Sequence, residues 1–304
     1  MSLETDRLNR ELLDDILENG QNSKPLFKIC CDDLFTYDDI PEWYSNNSYI
    51  YYGYRRPYLS YKTLFKTIFK IHNETCNIWS HIIGVIMFCC LFLHFVITNY
   101  DEGISTIPIG IFLCSTIVCF TNSVIMHTFY PHSKESCTVL CNLDYSGIFV
   151  LIFGGYIAFI HYEFYCYTTL QIFYYTFITL IGMLALFLIC KRNIFVRSLS
   201  FLMMGTTSVV PIIHRRLFIR SSDDDALNHR VDEQLVFIGS TLAISIFGIL
   251  LYILRLPERI HREYFNFICS SHTLFHITTI IAAYLYYVAL KELFDYYKKY
   301  INCI

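Results

Sequence analysis

The sequence predicts an all-α membrane protein of seven transmembrane helices, with a cytosolic N-terminus, an extracellular C-terminus and a short juxtamembrane helix before the first span. Three observations carry that expectation. The chain of 304 residues is 55% hydrophobic and only 16% charged, whereas a soluble domain carries about 25% charge. Its apolar residues collect into long runs instead of following a helical or strand period. Lys and Arg are divided unequally between the two sets of loops that those runs create, and the richer set stays in the cytosol.

The elements follow in order. Residues 1–40 carry ten Asp/Glu and four Lys/Arg and read as a flexible acidic cytosolic tail. Within it Leu8, Leu12, Leu13, Ile16 and Leu17 suit one face of a short amphipathic helix. The opening MSLETDRLNRELLDDILE is polar and acidic, so no signal peptide is expected. Residues 41–76 form a juxtamembrane segment. There YKTLFKTIFKIH sets Leu64, Phe65, Ile68 and Phe69 opposite Lys62, Lys66 and Lys70, the pattern of a helix lying on the inner membrane surface. Residues 77–290 form the seven-span domain, with spans near 77–98, 104–127, 144–163, 168–190, 196–218, 234–254 and 268–290. Each is long enough to cross about 30 Å of hydrocarbon. Gly205 and Pro211 interrupt the fifth, and residues 291–304 form a short extracellular tail.

Charge orients the bundle. On the N-terminal side of seven spans lie twelve Lys/Arg, from Arg55 to Arg262, before the four of the distal tail are added; the opposite side has seven. The first two loops of that opposite side, around TNYDEG and HYEFYCY, have none. The resulting orientation opposes that of G-protein-coupled receptors, and the Asp-Arg-Tyr triplet expected after their third helix is missing. A net charge of −3 gives no basis for nucleic-acid binding. The 13 cysteines include no CxxC pair and read as membrane-buried or cytosolic thiols.

Histidine placement supplies the functional signal. His272 and His276, at i and i+4 in SHTLFHITTIIAAY, share one helical face. His127, in SVIMHTFY, ends the second span on the same cytosolic side. Three imidazoles with an open fourth position are the ligand set of a catalytic zinc. Such a zinc lowers the pKa of its water to about 7. Asp144 opens the third span at this depth as the candidate base, and Ser123 lies one turn before His127 to hold the water or a substrate oxygen. A site open to the bilayer suggests hydrolysis of a lipid amide or ester. Arg197, at the cytosolic start of the fifth span, suits a fatty-acid carboxylate or simple snorkelling. Glu74, Asn77 and His81 step along one face and read as structural partners of neighbouring helices, while His72, His132 and His261 read as solvated loop residues.

The blocks IPEW at 40–43, GYRRP at 53–57, FKTIFKIHNETCNIWSHIIG at 65–84, SVIMHTFYPHSKESCTVLCNLDYSGI at 123–148, VVPIIH at 209–214, then RLPERI and SHTLFHITTIIAAY, resemble the progestin and adipoQ receptor family, most closely the adiponectin receptors. The resemblance runs from about residue 40 to residue 290. It implies a seven-helix fold with an internal N-terminus, and zinc held by His127, His272 and His276. It also implies a zinc-bound water held by Asp144, Ser123 as part of the same motif, and Arg197 toward a bound fatty acid. The implied activity is that of a ceramidase, releasing sphingoid base and free fatty acid, in a multi-pass plasma-membrane receptor that regulates lipid metabolism. The implied partners are membrane lipid, an extracellular hormone of adiponectin type and a cytosolic adaptor at the N-terminal region. Alternatives left open are a receptor whose zinc is purely structural and a relative that responds to progestins or other steroids. Cys76 departs from the small residue usual in the NET-x-NIW stretch, and the distal tail and external loops depart further.

Overall fold

The computed structural model of this chain describes residues 34–45, 47–189, 194–207, 209–218 and 225–300. The acidic segment 1–33, with its expected helix around Leu8 to Leu17, and the last four residues lie outside the described residues. Among the described residues, seven helical segments are long and apolar enough to cross a membrane.

An ordered N-terminal module precedes the spans and begins earlier than the expected end of the tail at residue 40. Strand β1 (Phe35–Thr36) pairs antiparallel with β2 (Tyr52–Tyr54), matching Phe35 with Tyr54 and Thr36 with Tyr52. Tyr44, Ile50 and Tyr54 are buried against Met126 and Tyr130, which ties this module to the end of the second span. Helix α1 (Tyr61–Thr67) starts where the Ser60 hydroxyl accepts the Thr63 N–H. Its apolar residues do not act as one face. Leu64 and Ile68 are buried in the protein, whereas Phe65 and Phe69 are exposed beside the lysines.

The spans are α2 (Thr75–Thr98), α3 (Ile107–Phe129), α4 (Lys134–Glu163), α5 (Thr168–Ile189), the pair α6 (Ile194–Thr206) and α7 (Val209–Phe218), α8 (Asp225–Leu254) and α9 (Ser271–Tyr300). The fifth span is thus two helices, interrupted between Gly205 and Pro211 as the sequence suggests. Pro211 sits in the first turn of α7, where a backbone N–H has no intrahelical acceptor to lose. Helix α9 runs through residues 291–300, so the expected C-terminal tail is mostly a helical extension.

Neighbours in sequence pack together along α2, α3, α4, α5 and α6, and α8 lies along α9. Helix α9 closes the bundle by touching α2, α3 and α4. Lipid supplies no hydrophobic drive between helices, so close approach at small residues matters. A Cβ on Gly147 would come within 3.0 Å of the Cys119 Cα, and one on Gly154 would overlap the Ser115 side chain. Glycine at these two positions lets α4 lie against α3, which sets Asp144 beside the last turns of α3.

Candidate metal centre

The end of α3 and the start of α9 bring His127, His272 and His276 together, with all three ligand nitrogens within 4.8 Å of one another. His272 Nε2 lies 3.1 Å from His127 Nε2 and 3.1 Å from His276 Nε2. Tetrahedral zinc with bonds of about 2.0–2.1 Å separates adjacent nitrogens by about 3.3 Å, so the spacing suits such an ion.

The outward-facing ring atoms show which nitrogens point inward as lone pairs. His127 Nδ1 donates to Glu74 Oε2 at 2.7 Å, and His276 Nδ1 donates to the Asn77 carbonyl at 3.2 Å. Those protons on Nδ1 leave Nε2 unprotonated in the neutral rings. These two inward lone pairs, each on a nitrogen 3.1 Å from His272 Nε2, make a nitrogen cluster that a cation can bridge. The donor set therefore fits a divalent, nitrogen-preferring metal such as zinc.

A second layer of bonds holds the ligands. Glu74, just before α2, also receives the Asn77 amide at 2.6 Å and the Tyr130 hydroxyl at 3.1 Å. Burial alone would raise the Glu74 carboxyl, but the His127 ring and the donors from His127 and Asn77 pull it well below the usual carboxylate range. It is therefore an anion that orients His127 and fixes the proton on its Nδ1. The Asn77 side-chain oxygen accepts the Thr273 hydroxyl at 2.6 Å, fixing the turn between His272 and His276. The Arg55 guanidinium donates to the carbonyls of His127 at 2.6 Å and Thr128 at 2.9 Å, and to the Thr67 hydroxyl at 3.0 Å. It thereby closes the C-terminal end of α3, where carbonyls lack partners. The wholly buried Glu258 accepts the Ser271 N–H at 2.7 Å and the Asn47 amide at 3.0 Å, which caps α9 one residue before His272.

Sequence reasoning read Glu74 and Asn77 as structural partners only; the structure makes them supports for metal-site histidines. The signal was their i, i+3 spacing just before a span. Arg55 and Glu258 carried no such signal, because their partners lie 72 and 13 residues away. His72 is corrected from a solvated residue to a fully buried one. Its Nε2 donates to the Thr67 carbonyl and its Nδ1 accepts the Glu74 N–H, while burial and nearby Arg55 push its pKa down to about 3. His132 is half-buried, stacked on Tyr61 and bonded to the Leu59 carbonyl. His261 is exposed, as expected.

Asp144 and Ser123 line a cavity of about 200 Å³ together with His272, His276 and Arg197. Asp144 is buried, beside Ser123 and within electrostatic reach of His127. The Ser123 hydroxyl is buried, has no hydrogen bond of 3.5 Å or less among the described residues, and has the Asp144 carboxyl as its polar neighbour. The Arg197 guanidinium lies 4.3 Å from the Tyr145 ring centroid, and Tyr252 packs against His272. The rest of the lining is mostly apolar and runs along α4 from Asp144 to Tyr156. The helix rises about 18 Å between those two residues. Cys166, after the far end of α4, is disulfide-bonded, which corrects the expectation that the cysteines are all thiols.

Residues 69–287 match the family described as haemolysin-III related. The chain is 32% identical over 286 residues to the adiponectin receptor protein of Drosophila melanogaster, covering 91% of this chain and 62% of that protein. It is 30% identical over 268 residues to progestin and adipoQ receptor-like protein 1 of Caenorhabditis elegans, covering 86% and 61%. Heptahelical transmembrane protein 1 of Arabidopsis thaliana is 27% identical over 289 residues, covering 89% and 84%. The chain thus spans somewhat under two thirds of the length of the first two relatives.

Proposed function

Because this chain belongs to the haemolysin-III related family of seven-helix membrane proteins, we propose that it is an adiponectin-receptor-like protein of the plasma membrane that hydrolyses a ceramide-type lipid amide at a zinc centre. The single observation that carries this reading is the convergence of His127, His272 and His276 beside a long, mostly apolar cavity that His272, His276, Asp144 and Ser123 line. The three histidines would hold the ion through Nε2. Zinc in such a site polarises a carbonyl and brings a water molecule's pKa to about 7.

The chain's own groups do the rest. Asp144 takes the proton of the attacking water and returns it to the departing amine as the amide C–N bond breaks. Ser123, beside Asp144, offers its hydroxyl to the water or the carbonyl oxygen. The apolar cavity takes the acyl chain, and Arg197, aligned over Tyr145, meets the carboxylate of the released fatty acid. The products are a sphingoid base and a free fatty acid, which connect the protein to lipid metabolism.

A cytosolic metal end is supported by the excess of Lys/Arg on that side. It is also supported by the disulfide-bonded Cys166 at the other end, since disulfides persist in oxidising compartments. The relative named as an adiponectin receptor suggests an extracellular protein hormone of that type as the input, read on the Cys166 side.

Metal content and turnover of labelled ceramide, measured together on purified full-length chain, test this reading. Asp144→Asn should keep the metal and lose turnover by about 10²- to 10⁴-fold. Unchanged turnover removes Asp144 as the base. Metal-replete wild-type protein without turnover leaves the ion a structural role.

A further inference from the structure

His81 takes no part in the scheme above, yet its surroundings are unusual. It lies on α2 one turn beyond Asn77, is 5% exposed, and lines the same cavity as Ser123 and Asp144. Neither of its ring nitrogens has a hydrogen-bond partner among the described residues. One face lies flat on His276, with centroids 3.7 Å apart and planes 9° apart; the other faces Phe120 at 4.8 Å. A ring stacked parallel to a metal-site histidine cannot also aim its lone pair at the shared centre, and the cluster of converging ligand atoms does not include it. The stack clamps the ring plane and leaves only the ring edge, with both nitrogens, for bonding.

A neutral imidazole carries one N–H donor and one acceptor lone pair. Burying both unpaired is costly, and a ligand that supplies one acceptor and one donor removes the cost. A fatty-acid carboxylate offers acceptors only. The head of an N-acyl amino alcohol offers a carbonyl oxygen, an amide N–H and hydroxyls. We infer that His81 binds the polar head of the lipid in this cavity, donating to an oxygen and accepting from a hydroxyl, and so selects hydroxylated amide lipids over free fatty acids and over amides without hydroxyls. The inference rests on the proposed reading of the cavity as a lipid-amide site and names a selecting residue within it. His81 is a positioning and specificity residue, while proton transfer stays with Asp144.

The test is equilibrium binding to detergent-solubilised, metal-loaded full-length chain, which does not depend on turnover. The probes are N-palmitoyl dihydrosphingosine, palmitate, and N-palmitoyl hexadecylamine, an amide without hydroxyls. Wild-type protein should bind the first most tightly. His81→Phe keeps an aromatic ring between His276 and Phe120 but removes donor and acceptor. It should weaken the hydroxylated amide about tenfold, shift palmitate by less than about twofold, and leave metal content unchanged. His81→Gln, with both a donor and an acceptor, should recover part of the loss.

Equal weakening of all three lipids, or no change in any, overturns the assignment, because a purely structural stack would behave in one of those ways. Should His81→Phe fail to fold, His81→Asn against His81→Leu makes the same comparison. Wild-type protein that prefers the hydroxylated amide yet never cleaves it sinks the hydrolase reading and keeps this one. Wild-type protein that binds it no better than palmitate sinks this one, whatever its turnover.

Discussion

Two sets of buried polar groups around the histidine cluster are held in opposite ways. In one, the outward nitrogens of His127 and His276 are bonded to Glu74 and the Asn77 carbonyl, and these supports are themselves bonded to Tyr130 and Thr273. In the other, both nitrogens of His81 are buried without partners among the described residues, and the buried Ser123 hydroxyl has no bond of 3.5 Å or less, only the Asp144 carboxyl beside it. Buried polar groups are normally satisfied. A set that is satisfied holds its shape without help, whereas a set that is not is shaped for something that completes it. The contrast separates residues that build the cluster from residues that meet what enters the cavity.

The sharpest way to break the comparison is to remove a ligand. His272→Ala leaves two imidazoles, and metal content after purification should fall below about a tenth of wild type, with a lower thermal midpoint because bound metal stabilises the folded state. Adding a chelator to wild-type protein should move the midpoint in the same direction and leave the variant unmoved. A variant that retains its full metal content would show that the triad is not the ligand set.

A smaller effect is expected from the supporting layer. Glu74→Gln keeps the shape and an acceptor for His127 Nδ1–H but loses the negative charge behind the ring. Metal affinity should fall about 10- to 100-fold, measured by competition with a chelating dye. No change would mean that the carboxylate serves only Tyr130 and Asn77, and the satisfied set would then be structural in the ordinary sense.

How much of this could be read from the chain alone depends on the range of each contact. The seven spans are local properties of apolar runs, and HxxxH on α9 is a local helical spacing. The level of His127 follows once the spans are counted. Glu74 and Asn77 were visible as a face of α2, but the sequence could not say that this face meets α9 at Thr273 and His276. That depends on how closely α4 and α9 approach α3, through positions such as Gly147 and Gly155. Arg55 illustrates the limit. In sequence it is one of five basic residues in the juxtamembrane segment 41–76, and only the fold reveals that it is buried against the end of α3 while its neighbour Arg56 is exposed. His72 misled for the same reason, since a loop position gives no hint that α1 folds over it.

The smallest expected effect concerns stability, and it tests the unsatisfied set directly. Helix α3 carries a natural control. The Ser115 and Thr116 hydroxyls donate to the carbonyls of Ile111 and Phe112, at 2.7 Å and 2.9 Å. That back-bond, made about two turns before Ser123 on the same helix, is the usual recourse of a hydroxyl in an apolar helix. Ser123 does not make it; its hydroxyl is left to the cavity and the Asp144 carboxyl beside it. Removing a well-bonded hydroxyl loses about 1 kcal/mol, whereas removing one without such a bond recovers a desolvation cost. Thr116→Val should therefore lower the thermal midpoint of metal-loaded, lipid-free protein, while Ser123→Ala should leave it unchanged or raise it and still reduce ceramide turnover at full metal content. If Ser123→Ala costs as much stability as Thr116→Val, the contact with Asp144 is a structural bond, and the distinction between the two sets fails at the residue where it is drawn most finely.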